Sequence, residues 1–169
     1  LDRPVGGVMV FAKTPEVAAK LSDMQQDGEI AKYYQAVITG ELPDFEGEMV
    51  DYLLRDGKTN TTKVVKKGEK DAKRAELYYE VLDVMDTDDG TLSYVLIELV
   101  TGRHHQIRVQ MAYFGHPLIG DRKYGKEITD HMNSVQSSTK RFQAGQLHLC
   151  AYKLTFHHPK TGKEMEFQI

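Results

Sequence analysis

Three short stretches carry the side chains best suited to chemistry. Leu1-Asp2-Arg3-Pro4-Val5-Gly6-Gly7 sets an acid beside a base, ahead of a glycine pair and an apolar run. An Asp at the mouth of a strand can act as nucleophile or general base, and it can equally be a turn or capping group. Lys32-Tyr33-Tyr34-Gln35-Ala36 reads as strand, so alternation sends Tyr33 and Tyr34 to opposite faces, one able to line a cleft while the other packs. Thr101-Gly102-Arg103-His104-His105-Gln106-Ile107-Arg108 joins a strand end, a glycine break and the first turn of a helix. Helix N-termini attract anions and two arginines strengthen the attraction, so this stretch suits phosphate or carboxylate binding.

Other chemistries find less support. Adjacent His104 and His105 do not share a helical face, and His157-His158 alternates across a strand, so neither pair has metal-ligand spacing. The chain contains neither a Gly-x-Gly-x-x-Gly nor a P-loop pattern, which argues against a nucleotide cofactor. Cys150 is the one cysteine and sits in an apolar stretch, where a packed thiol is expected. A disulfide scaffold and a four-cysteine zinc site are excluded, and a reducing compartment fits. No apolar run approaches the roughly 20 residues of a spanning helix, and a cytoplasmic location is expected.

The formal net charge is −3 over 169 residues, which by itself discourages a nucleic-acid partner. The average hides two opposed segments. Residues 41–56 hold Glu41, Asp44, Glu46, Glu48, Asp51 and Asp56 against Arg55, a net of −5. Residues 58–74 hold Lys58, Lys63, Lys66, Lys67, Lys70, Lys73 and Arg74 against Glu69 and Asp71, a net of +5. Because screening limits distant charge to about 8–10 Å, a local basic loop can hold a phosphate backbone on a mildly acidic protein. A merely solvated loop is the simpler alternative.

The elements that must position these residues follow from local pattern. With 40% hydrophobic residues the chain fits one soluble domain, burying roughly 70% of the surface its unfolded form would expose. Residues 8–12 read as a buried strand. A helix then starts with Thr14 as N-cap, Pro15 in its first turn and Glu16 on the dipole, shows Val17, Ala18, Leu21 and Met24 on one face, and stops at Gly28. Strands are expected over 31–39 and 48–54. Asp88-Asp89-Gly90 closes a hairpin of 75–85 with 91–100, and Pro159-Lys160-Thr161-Gly162 closes one of 147–157 with 163–167. Ile107, Met111 and Phe114 predict an amphipathic helix over 104–114 ending at Gly115, while 124–144 reads as a weakly patterned helix or a surface excursion. The fold class is α+β, a mixed, mainly antiparallel sheet with flanking helices.

Together, in order and spacing, the motifs resemble the RluA-type pseudouridine synthases, which isomerise uridine within RNA. The resemblance rests on the opening Leu1-Asp2-Arg3-Pro4 stretch and on Lys32-Tyr33-Tyr34-Gln35-Ala36 with Gly40. It also rests on Gly102-Arg103-His104-His105-Gln106-Ile107-Arg108, on Gly115-His116-Pro117-Leu118-Ile119-Gly120-Asp121 with Tyr124-Gly125, and on Leu147-His148-Leu149. It implies that Asp2 is the catalytic residue, that Tyr34 lies against the target base, and that Arg108 pairs with Asp2. Ile107 would line an apolar wall of the uracil pocket, with Arg103, His105 and Gln106 building or supporting the cleft. Arg3 would add to its positive charge, and Lys63, Lys66 and Lys67 would hold RNA backbone.

The same resemblance implies no cofactor and no metal, a ribosomal or transfer RNA partner, no membrane association and a monomer. The chain opens without Met, and the His and Arg that the family places before this Leu-Asp are absent. Residues 1–169 are therefore expected to be a catalytic domain lacking its first strands. A non-catalytic RNA-binding module or chaperone that keeps the fold is the competing reading. A hydrolase using Asp2 and a histidine lacks an oxyanion or metal feature.

Overall fold

The computed structural model describes residues 1–88, 90–134, with backbone alone from 131, and 146–169. Eight strands form one sheet in the order β1-β7-β2-β6-β5-β3-β4, with β8 added to β7. They are β1 (Gly6–Gly7), β2 (Ala31–Thr39), β3 (Glu46–Asp56), β4 (Thr61–Val65), β5 (Lys73–Thr87), β6 (Gly90–Leu99), β7 (Leu149–His157) and β8 (Glu164–Gln168). Every pairing is antiparallel except the short parallel contact of β1 with β7. The helices are α1 (Pro15–Gln26), α2 (Gln106–Tyr113) and α3 (Lys126–Ser134). None of them is long and apolar enough to cross a membrane.

Local signals set several boundaries where expected. Thr14 Oγ1 accepts the Val17 N–H at 3.4 Å, Pro15 opens α1, and Gly28 leaves it at φ 78°. The 31–39 strand and both hairpins form. Of the weakly patterned 124–144 segment, α3 is described and 135–144 lies outside the described residues, as does Asp89 in the first hairpin turn.

Three expectations are corrected. Residues 8–12 are not a buried strand: only Gly6–Gly7 pair, opposite Cys150 and Ala151, and Phe11 is 77% exposed. Apolar side chains bury only where neighbours cover them, and the chain leaves β7 after the Val8 N–H reaches the Ala151 carbonyl, at 2.8 Å, to start α1. Gly7 itself is required there, because at φ 123° a Cβ would stand 2.2 Å from the Ala151 carbonyl oxygen. The basic segment 58–74 is not all loop, since Thr61-Thr62-Lys63-Val64-Val65 is rich in β-branched residues and pairs as β4 with 52–56.

The third correction concerns α2. Its apolar period is real, but the helix is buried from Gln106 to Met111 on polar and apolar sides alike, while Phe114, expected on the apolar face, is exposed. The sheet covers one side and the β3–β4 hairpin with the 117–124 loop covers the other. Ile107 and Met111 join Ala36, Ile38, Leu77, Val95, Ile97 and Leu118 in the main core. Gln106, Arg108 and Gln110 are tolerated inside because each finds hydrogen-bond partners.

Candidate active site

A cleft of about 460 Å³ opens where the N-terminal segment, β2 and the start of α2 meet. Leu1, Asp2, Arg3, Lys32, Tyr34, Arg103, His105, Gln106, Ile107 and Arg108 are among its lining residues. Strand alternation puts Lys32 and Tyr34 on this side of β2. Tyr33 points to the opposite face, beside Lys153 and a groove containing Glu46, Glu48, Glu80 and Glu98.

Asp2 is held by a tight turn in which the Val5 N–H donates to its carbonyl at 2.9 Å. Its carboxylate Oδ2 accepts from Arg108 Nη1 and lies 3.1 Å from His105 Nε2, while Oδ1 accepts the Arg3 backbone N–H at 2.9 Å. Arg108 is fixed in turn by Asp121, whose two oxygens take Nε and Nη2 at 2.7 Å each. Asp121 is fully buried and also accepts the backbone N–H groups of Lys123 and Tyr124. Gly120 makes that approach possible, since at φ 77° a Cβ would fall 1.8 Å from the Gln146 carbonyl oxygen. Buried charge is costly unless paired and hydrogen-bonded, and both conditions are met here.

The electrostatics follow from these contacts. Burial of Asp2 opposes its ionisation, but His105, Arg108 and the Arg3 N–H outweigh it and hold the carboxyl below its ordinary range. Asp121 behaves alike, with burial overcome by Arg108 and two backbone donors. Burial, reinforced by Arg108, His104 and Lys123, pushes His105 down to about 4 despite the pull of Asp2. His105 is therefore neutral at pH 7 and serves Asp2 as a hydrogen-bond donor, leaving Arg108 as its cation. Its backbone is left-handed at φ 55°, a conformation costing a non-glycine residue roughly 1–2 kcal/mol.

The remaining candidates divide. Gln106 Oε1 accepts from the Thr101 hydroxyl and the Arg103 N–H, and its Nε2 donates to the Glu76 carbonyl, so Gln106 braces the loop that carries Arg103. Arg103 Nε donates to the Arg74 carbonyl at 2.9 Å. Ile107 is buried with its side chain in the core beneath the cleft, and Arg3 is exposed at the rim. Lys63, Lys66 and Lys67 lie outside the cleft and are exposed. Lys63 occupies the face of β4 opposite Thr62, whose hydroxyl meets His104 Nδ1 at 2.8 Å.

Four residues that sequence reasoning had not singled out as site residues belong to this assembly. Asp121 and Tyr124 stand in the Gly120-Asp121 and Tyr124-Gly125 matches, which was the available signal. Lys32 stands in the strand motif; burial and nearby Arg103 lower its pKa, and it has no carboxylate partner among the described residues. Thr62 had no signal, because β4 was itself unforeseen.

Comparison with known proteins adds a consistent frame. The sequence model described as RNA pseudouridylate synthase matches residues 1–113. A protein named tRNA pseudouridine synthase C from Vibrio cholerae is 32% identical over 98% of this chain and 68% of its own length. One named ribosomal large subunit pseudouridine synthase D, from Neisseria meningitidis, is 35% identical over 99% of this chain but 43% of its own. The human protein RNA pseudouridylate synthase domain containing 1 shares the fold with a TM-score of 0.70 at 21% identity, over 94% of this chain and 61% of that one. The chain thus spans from about two thirds to less than half the length of these relatives.

Proposed function

The chain belongs to the RNA pseudouridylate synthase family, in its RluA-type branch, and from that premise we propose that it isomerises specific uridines to pseudouridine in structured ribosomal or transfer RNA. The observation that carries the reading is the carboxylate of Asp2, kept ionised by Arg108 in a cleft that Tyr34 and Ile107 also line. Residues 1–169 act as one catalytic domain, and one chain supplies every group of the cleft, which suits a monomer. The RNA substrate puts the reaction in the cytoplasm.

Isomerisation breaks the bond from ribose C1′ to uracil N1, turns the base while it is held, and joins C5 to C1′. The C5 proton is then lost and N1 regains one, so atoms balance and no electrons are exchanged. Such a reaction asks for a carboxylate at the sugar, an apolar enclosure for the base and no redox group. Asp2 supplies the first, and Tyr34 with Ile107 supplies the second, an aromatic and an aliphatic surface of the kind that hold unstacked bases. Neither C1′ nor C5 is open to attack inside a stacked helix, so the uridine enters extruded or already unstacked. Arg3, Lys32 and Arg103 then meet the phosphates beside it, and Lys63, Lys66 and Lys67 hold more distant backbone.

The test is a map of pseudouridines in cellular RNA with and without the gene, repeated with Asp2→Asn. Loss of the same sites in both strains supports the reading. Normal modification with Asp2→Asn would leave Asp2 without its catalytic role, and an unchanged map without the gene would leave a non-catalytic RNA-binding protein.

A further inference from the structure

We propose that Tyr124 is a positioning residue that acts through His105, selecting the imidazole tautomer that ties down one oxygen of Asp2 and leaves the other for the sugar. The proposal rests on the reading of Asp2 as the catalytic carboxylate. It begins from a continuous file of polar contacts that the reaction chemistry alone does not require.

The Thr62 backbone N–H donates to the Tyr124 hydroxyl oxygen at 2.8 Å. That oxygen lies 2.7 Å from His105 Nδ1, and His105 Nε2 lies 3.1 Å from Asp2 Oδ2. An ionised carboxylate only accepts hydrogen bonds, so the nitrogen facing it must carry the proton. A neutral imidazole has one proton, and once it resides on Nε2 the lone pair is on Nδ1. Tyr124 must then donate. The Thr62 N–H, occupying the far side of the phenolic oxygen, turns the hydroxyl proton toward the ring. Each contact in the file therefore has one donor and one acceptor in a single consistent direction, from β4 to Asp2.

The groups around His105 keep it in this state. Asp2 favours its charged form, while burial, Arg108, His104 and Lys123 oppose it, and the neutral form prevails. Burial likewise raises the Tyr124 phenol, which keeps the proton it must donate. The left-handed backbone at His105 aims the ring between its two partners, a local strain of the sort that persists where function needs a fixed side chain.

The consequence falls on Asp2. Oδ2 is engaged twice, by Arg108 and by His105 Nε2–H, whereas Oδ1 receives only the N–H of its own neighbour Arg3. Oδ1 is the oxygen left with a free lone pair for the ribose. Without the Tyr124 hydroxyl the tautomer preference weakens, and whenever the proton moves to Nδ1 two lone pairs face each other between Nε2 and Oδ2. Asp2 is then free to rotate about its Cβ–Cγ bond.

Tyr124→Phe tests this with little change of volume. In nitrogen-15 NMR of the wild-type protein, His105 is expected to show a protonated Nε2 and a bare Nδ1, with Tyr124→Phe shifting population toward the other tautomer. With total RNA from cells lacking the gene as substrate, Tyr124→Phe is expected to lower kcat by about 10- to 100-fold, the scale of one hydrogen bond to a charged group, with KM unchanged. A protonated Nδ1 in the wild type, or an unchanged kcat in the variant, overturns the proposal and leaves Asp2 catalysis standing. Wild-type protein that forms no pseudouridine in that RNA overturns both.

Discussion

The start of α2 and the β3–β4 hairpin are both rich in charge, and they use it in opposite ways. Around α2, Asp2, Arg108 and Asp121 form a chain of ion pairs in which Arg108 and Asp121 are buried and almost every polar atom has a partner. On the hairpin and the turn after it, Lys58, Lys63, Lys66 and Lys67 are exposed and form no ion pair among the described residues. Pairing gives the first region fixed geometry at the cost of reach. Unpaired charge gives the second region reach without geometry, which is what a phosphate backbone of any sequence requires. One strand serves both regions, because alternation along β4 turns Thr62 toward the cleft and Lys63 away from it.

The sharpest way to break this contrast is at Asp2. Asp2→Asn in the full-length protein is expected to lower turnover by roughly 10⁴-fold or more while leaving RNA affinity nearly unchanged. Single-turnover assays beside filter binding would check it, and turnover within tenfold of wild type would remove Asp2 from the chemistry.

The next largest effect is expected at Asp121. Replacing it with Ala strands the buried guanidinium of Arg108, and the loss should reach about 3–5 kcal/mol in urea unfolding. A loss below about 1 kcal/mol, the range of a surface pair, would show that the cleft is not the locked network described above.

Acid should loosen the cleft and spare the hairpin. His105 protonates near 4 when folded and near 6.5 when unfolded, so the unfolded chain binds its proton first. Stability is then full above pH 6.5 and falls as the pH drops from there to about 4, by at most about 3 kcal/mol from this group. His104, also pushed down by burial, adds to the fall, while Asp2 and Asp121 contribute only as they protonate below 3.8. His105→Gln should flatten the decline over that window, and denaturation series at pH 7 and 4.5 would reveal an unaltered slope.

The smallest effect belongs to the hairpin. Changing Lys63, Lys66 and Lys67 to Gln should reduce the slope of log affinity against log salt by about 2, close to one unit per phosphate contact, without changing which uridine is modified. An unchanged slope would return these lysines to plain solvation.

Much of this was legible along the chain. The Thr14 cap, the Gly28 stop, the 31–39 strand and the hairpin turns depend on neighbours a few residues away, and there local pattern and observed structure agree. The failures share a cause. Residues 8–12 look apolar enough for a strand but find no partner, and β4 hides in a run of lysines because its pairing with β3 outweighs its charge. The period of α2 says which side meets the sheet, and nothing local says that a hairpin and a loop will bury the other.

The sequence by itself determined the family, the fold class, and the residue types offered at each motif, because these follow from order, spacing and short-range preference. Only the tertiary structure decided that Asp2 meets Arg108 across 106 residues, that Asp121 holds the far side of that guanidinium, and that Tyr124 and Thr62 reach His105 from separate elements. A carboxylate gains its partner and its lowered pKa from whatever closes around it. That closure depends on the packing of the whole sheet.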